Sequence, residues 1–243
     1  MRVWVLLALS VPLIAGNLET FTDNAMNTTQ RNSACFALRG NKSPETIAAM
    51  RAALENPALQ ACAAANLGVA GEYSELAAVV RGGKDPSARA AAARELGNAQ
   101  KTEYLGVLGE AARDRDVLVS SNAIEGLMRY EDRTSAGELR AIALVGGMQA
   151  ALALDILIDW RDAEVAGIGR RLMTGKNPAD QLVGIRAVGV AGDGSDLPRL
   201  RELAKNDTEL NAGSRGFGFM PAVSISRAAK TAIENIESRT SAR

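Results

Sequence analysis

The sequence predicts an all-α protein: an α-solenoid, or superhelix, of about six antiparallel helix pairs with an N-terminal capping helix. Three observations predict it. An eleven-residue pattern recurs with a small residue at its sixth place and an aliphatic one at its tenth. Amphipathic stretches with apolar residues at helical steps lie between its copies, and no run alternates apolar and polar residues as a half-buried strand would.

The pattern is clearest in "SARAAAARELG" (87–97). It returns in "TQRNSACFALR" (29–39), "ALQACAAANLG" (58–68), "LVSSNAIEGLM" (118–128), "MQAALALDILI" (148–158), "ADQLVGIRAVG" (179–189) and "SISRAAKTAIE" (224–234). The small place is Ala34, Ala63, Ala92, Ala123, Ala153, Gly184 and Ala229. Four residues on stand Leu38, Leu67, Leu96, Leu127, Leu157, Val188 and Ile233. In an alanine-rich chain the small column alone means little. Both columns recur together, at spacings of 29, 29, 31, 30, 31 and 45. Small residues let stacked helices approach closely while the aliphatic partner fills the core.

Between the copies, apolar residues fall at helical steps: Ile47, Met50 and Leu54; Leu105 and Leu108; Val165, Ile168 and Leu172; Leu197, Leu200 and Leu203. Ser43 and Pro44 in "SPET" are an N-cap and a first helical residue, and "SDLP" (195–198) carries a similar signal. The turns "ENP" (55–57), "KDP" (84–86) and "KNP" (176–178) separate the two helices of a pair, because proline cannot continue the preceding helix. The fourth unit has "VGGM" in place of the proline turn, and the sixth carries a long insertion.

These units resemble HEAT repeats, an armadillo-type fold, in particular the short form of about 30 residues named after phycobilisome lyases. The resemblance rests on the "DP" turn with "ARAAAARELG" and its cognates and covers residues 29–237. It implies a helix-pair stack, and little about activity, because such repeats serve many unrelated roles.

Residues 1–16, "MRVWVLLALSVPLIAG", read as a secretory signal peptide: one positive charge at Arg2, an apolar run from Val3 to Ala15, and small residues at Ala15 and Gly16. The run is too short to span a bilayer, which takes roughly 20 apolar residues. "LIAG" also resembles the front of a lipoprotein signal, but Asn17 stands where the lipidated cysteine would be. The expected product is exported, periplasmic or secreted, with no stable membrane anchor after cleavage. Residues 17–28 are expected to be a flexible segment, 29–237 the solenoid and 238–243 a disordered tail. The resemblance points to a bacterial host. Asn27, Asn41 and Asn206 begin N-x-Ser/Thr sequons, which matter only in a eukaryotic secretory route.

Charge is balanced, with 28 basic and 28 acidic side chains, which argues against a nucleic-acid partner. The chain has no histidine, so the usual general base and the commonest metal ligand are missing. No metal-ligand cluster and no nucleophile with an identifiable base is found. No cofactor and no enzymatic activity are expected. "DGSD" (193–196) is read as a turn followed by an N-cap, since the remaining ligands of a calcium loop are missing.

Cys35 and Cys62 fall at the seventh and fifth places of consecutive second helices, about 200° apart around the helix axis. In a translational stack opposite flanks of neighbouring helices face each other, so a disulfide is expected in an oxidising compartment, two buried thiols being the alternative. The resemblance implies that the eighth place points to the inner surface. There Arg94 with Glu125, and Asp155 with Arg186, alternate in charge across adjacent repeats, as a solvated ladder or a recognition surface.

Two turns carry aromatics where other central units have alanine: Tyr130 in "RYED" and Trp160 in "DWRD", flanked by Arg129 and Arg161. Aromatic and arginine residues dominate interaction hot spots. Packing of the rings over the next helix pair is the competing role. The insertion 206–223 holds Phe217 and Phe219 among glycines. These rings either fold back to cap the solenoid end or bind. A phosphate-loop reading fails for want of a preceding strand and the lysine pattern.

The function expected from all this is an exported protein–protein interaction scaffold that binds an unknown partner through its turn ridge and concave surface. The alternatives are a bilin lyase-like enzyme, a DNA reader of the HEAT-like glycosylase kind, and a purely structural envelope component. The first sits badly with export and the second with the neutral charge.

Overall fold

The computed structural model describes residues 16–205, 209–210 and 223–241. It is all-α apart from one two-residue ladder, and it forms two compact units, Met1–Arg133 and Thr134–Arg243. Among the described residues no helix is long and apolar enough to cross a membrane. The signal-peptide reading of residues 1–16 lies, but for Gly16, outside the described residues.

In the first unit residues 16–22 form α1, followed by α2 (Thr28–Ala37), α3 (Pro44–Ala53), α4 (Gln60–Ala70), α5 (Tyr73–Gly82), α6 (Pro86–Ala99), α7 (Leu105–Ala111) and α8 (Val117–Met128). Helices α3/α4, α5/α6 and α7/α8 are packed pairs, and the second helices α2, α4, α6 and α8 stack in sequence. The segment 17–28, expected to be flexible, begins in α1. Its Phe21 is buried at 1% exposure, and the Phe21 carbonyl accepts a hydrogen bond from Arg31 Nε at 2.9 Å.

Side-chain caps start several of these helices, the expected one at Ser43 among them. Ser43 caps α3 ahead of Pro44. Asp85 caps α6 ahead of Pro86, accepting from the amides of Ser87 (2.7 Å) and Ala88 (3.2 Å). The Ala88 amide, foremost among these contacts, holds the Asp85 carboxyl below its ordinary range. Asp116 caps α8 in the same manner. Helix α4 ends at Gly71, whose φ of 90° is the left-handed value that favours glycine at a helix end.

The second unit holds α9 (Ala136–Ala143), α10 (Gly147–Asp159), α11 (Val165–Met173), α12 (Pro178–Ala191), α13 (Leu197–Leu203) and α14 (Ile225–Ser241). These again pair as α9/α10, α11/α12 and α13/α14, with α10 neighbouring α12 and α12 neighbouring α14. The "VGGM" departure has a compensation. Helix α10 has no side-chain cap of its own, and Asp180 of α12 accepts from the Gly147 amide at 2.7 Å. "DGSD" is a capped 3₁₀ turn over Gly194–Asp196, with Asp193 accepting from Ser195. The insertion is bracketed by an antiparallel ladder of Glu209–Leu210 with Val223–Ser224; most of 206–223, including Phe217 and Phe219, lies outside the described residues.

The two columns form the core. Ala34, Ala63, Ala92, Ala123, Ala153 and Ala229 are all buried, as are Leu38, Leu67, Leu96, Leu127, Leu157 and Val188. The last unit differs. Ile233 is only half-buried, and α14 buries Ile225, Ala229, Ala232 and Ile236 instead. Ile233 packs at the margin of that cluster.

Small residues are obligatory at some positions. A methyl on Gly97 of α6 would run into the Gly126 Cα of α8, so these backbones cross with no side chain between them. A methyl on Gly184 would lie 2.6 Å from the Gly169 carbonyl oxygen and 2.8 Å from the Met173 amide nitrogen, closing α12 onto α11. Cys35 and Cys62 join α2 to α4 as a disulfide, with Cα atoms 6.4 Å apart. The Asn66 amide donates to both cysteine carbonyls, at 3.2 and 3.1 Å.

Two outcomes are expected. Gly97→Ala, although it raises intrinsic helix propensity, lowers stability by about 1–3 kcal/mol through overpacking against backbone; chemical denaturation reads it. The Cys35→Ala, Cys62→Ala double variant, or reduction, costs on the order of 3 kcal/mol, given the sequence separation of 27. An unchanged midpoint under reductant would show that the cross-link contributes nothing.

Candidate functional site

In the second unit, α10, α12 and α14 each turn one stripe toward a shared groove of about 430 Å³. Helix α10 supplies Ala151, Leu154, Asp155 and Ile158, and α12 supplies Leu182, Val183, Arg186, Gly189 and Val190. Helix α14 supplies Arg227, Ala228, Thr231, Ala232 and Asn235. Steps of three and four residues put each set on one helix face. The floor is tight because a methyl on Gly189 would come within 3.0 Å of Ala232 Cβ. A volume of this size is that of a ligand or side-chain anchoring site.

The polar groups are few. Asp155 and Arg186 pair across the groove at 2.9 Å, with 43% and 63% of their side chains exposed. A pair so open to water contributes at most about 1 kcal/mol. Arg227 stands exposed in the first turn of α14, with no acidic partner among the described residues. The apolar surface extends past the groove through Met148 and Leu152 on α10, 65% and 42% exposed.

Three members of the eighth place, Asp155, Arg186 and Thr231, line this groove, and the expected Asp155–Arg186 pair forms. The other half of the row differs. Arg94 pairs with its chain neighbour Glu95 at 3.3 Å and not with Glu125, which is exposed.

The aromatic ridge is corrected. Tyr130 is 1% exposed, and its hydroxyl donates to the Lys101 carbonyl oxygen at 2.9 Å. Burial, with a smaller contribution from the Asp132 charge, pushes its phenol up to about 12. It is a core residue of the first unit and offers nothing to a partner. Arg129 is half-buried as the C-cap residue of α8. Trp160, in the second unit, is half-buried as the C-cap of α10, followed by exposed Arg161 at a φ of 54°.

Sequence reasoning missed a second charge system on the first helices. Arg51 reaches Glu72 at 2.9 Å, Arg81 reaches Glu110 at 3.2 Å, Arg140 reaches Asp162 at 2.6 Å, and Arg170 reaches Asp196 at 2.7 Å. Each couples one helix pair to the next. Only Asp162 and Asp196 are well shielded, at 9% and 5% exposure, and their carboxylates raise the pKa of the arginines they bind. The signal was an arginine in each of these first helices followed 21 to 29 residues later by an acid.

Among known proteins, the family model of HEAT repeats matches residues 73–146. No curated protein sequence matches the chain. In structure it is similar to human deoxyhypusine hydroxylase in complex with glycerol, at 18% identity and a TM-score of 0.46, over 95% of this chain and 98% of that one. That solved chain is an enzyme, against the expectation of no enzymatic activity for this one. The likeness assigns no role to any residue here. Among the described residues no group of three or more His, Cys, Asp or Glu could hold a metal.

The burial of Tyr130 has a pH consequence. Its unfolded phenol ionises near pH 10 while the folded one holds its proton to about 12, so the unfolded state binds fewer protons in that window. The contribution is complete below pH 10 and is lost between pH 10 and 12, by about 2–3 kcal/mol. Denaturation midpoints across this range should fall less steeply for Tyr130→Phe, and parallel curves would disprove the assignment.

Proposed function

We propose that the protein is an exported interaction scaffold that holds another protein in the groove of α10, α12 and α14. The observation carrying this reading is the groove itself: an apolar surface continued by exposed Met148, Leu152 and Val190. Side chains of that kind in water are a standing cost unless something covers them. Stripes at three- and four-residue steps suit the ridges of an incoming amphipathic helix. The HEAT-repeat match supports a helical-repeat scaffold in the coarse sense. Export to the periplasm or medium of a bacterium is supported by the apolar run Val3–Ala15 behind Arg2 and by the cysteine pair, which suits an oxidising compartment.

The test is a photo-crosslinking amino acid at Leu182 in the full chain, in its native compartment. One protein should be captured there and lost in Val190→Glu, a substitution at a site 47% exposed in the structure that leaves helical content unchanged. Capture of no protein at native abundance would overturn the scaffold reading. Mass spectrometry of the native N-terminus tests export separately: a chain beginning near Asn17 supports it, and one retaining Arg2 defeats it.

A further inference from the structure

We infer that the groove selects an apolar helical segment bearing one acidic side chain, with Arg227 as the residue that makes the selection. The inference rests on the scaffold reading and adds what the partner must look like.

Among the described residues, three charged ones line the groove: Asp155, Arg186 and Arg227. The first two neutralise each other at 2.9 Å. Arg227 is left with one full positive charge at the groove wall. Its backbone amide donates to Ser224 Oγ, and its guanidinium meets no acidic group among the described residues. The surroundings do not offset that charge. Lys230, three residues on and beside groove-lining Thr231, has the same sign, and the next acid along α14 is Glu234, about 10 Å further along the axis. Arg227 also stands in the first turn of α14, where the helix dipole adds to its positive potential.

The rest of the groove is hydrocarbon: Leu154 and Ile158 on one side, Leu182 and Val190 along α12. A basic segment would therefore meet like charge at α14 and gain nothing elsewhere. A neutral apolar segment would bind and leave Arg227 unpaired. A segment with a single carboxylate gains the ion pair, in a place where apolar walls exclude part of the water that weakens exposed pairs. The arrangement also sets direction. The carboxylate points to α14, while the neutral end lies against Leu154 and Ile158 of α10.

The test uses two fluorescein-labelled fourteen-residue helical peptides, Leu- and Ala-rich and identical but for one Glu or Lys, titrated against the full chain by anisotropy. The Glu peptide should bind about fivefold more tightly at moderate salt, and Arg227→Glu should reverse the order. The preference should shrink as salt rises. Equal binding of both peptides to the wild type, or a preference unchanged in Arg227→Glu, overturns the inference. If Val190→Glu still abolishes both in that case, the groove stands as a docking surface without the selection. If neither peptide binds the wild type while a simple amphiphile such as laurate does, the groove takes small molecules and both readings fall.

Discussion

The close approach of neighbouring second helices over small residues is the constraint on which everything else depends. Where α6 crosses α8 the backbones meet at Gly97 and Gly126, and where α12 meets α14 Gly189 lies against Ala232. Separation at such crossings is fixed by atoms that cannot move aside, because backbone, unlike a long side chain, has no alternative rotamer. The aliphatic column then has one depth to fill, and Leu67, Leu96, Leu127 and Val188 fill it completely. The groove is the outward face of the same geometry. With α12 and α14 held so close, the residues on their open sides converge on a shared surface instead of lying on separate cylinders.

Neighbouring repeats also complete one another's polar groups. Helix α10, lacking a cap in its own sequence, is capped by Asp180 of the next pair. Arg170 reaches forward to Asp196, whose second oxygen accepts from the Asp193 amide and closes the 3₁₀ turn ahead of α13. Asp114 shows the same economy. Burial works against its charge, but the Asp116 amide and the Arg89 guanidinium more than compensate and hold its carboxyl below the ordinary range. In each case a group of one repeat is completed by a neighbouring repeat, so no single pair is a complete unit.

Fold was legible because the two columns are periodic and local, and periodicity needs no knowledge of what lies across the interface. The cap at Ser43 and the proline turns ahead of α6 and α12 were legible for the same reason. Tyr130 was not, because its partner is a backbone carbonyl 29 residues away, and a carbonyl leaves no mark in a sequence. An aromatic beside an arginine looks alike whether it faces water or a buried acceptor. The groove was half legible: the eighth place picked out Asp155, Arg186 and Thr231, but its apolar walls were indistinguishable from core leucines and valines. In α14 the tenth place, Ile233, packs only at the margin of the core, while Ala232 and Ile236 lie within it. The ion pairs of Arg51, Arg81, Arg140 and Arg170 went unread because they start from first helices, where no recurring column drew attention.

In a linear stack the outermost member has one neighbour and is the first to open. Helix α2 is in that position among the second helices of the first unit, and it is the one bonded covalently inward, through Cys35 to Cys62. Fraying there becomes a reversible excursion on a short tether, with the separated strand of chain always returned to its own seat. A repeat array linked in this way is also hard to exchange between molecules, since a neighbour's first helices cannot substitute for a pair already closed on itself.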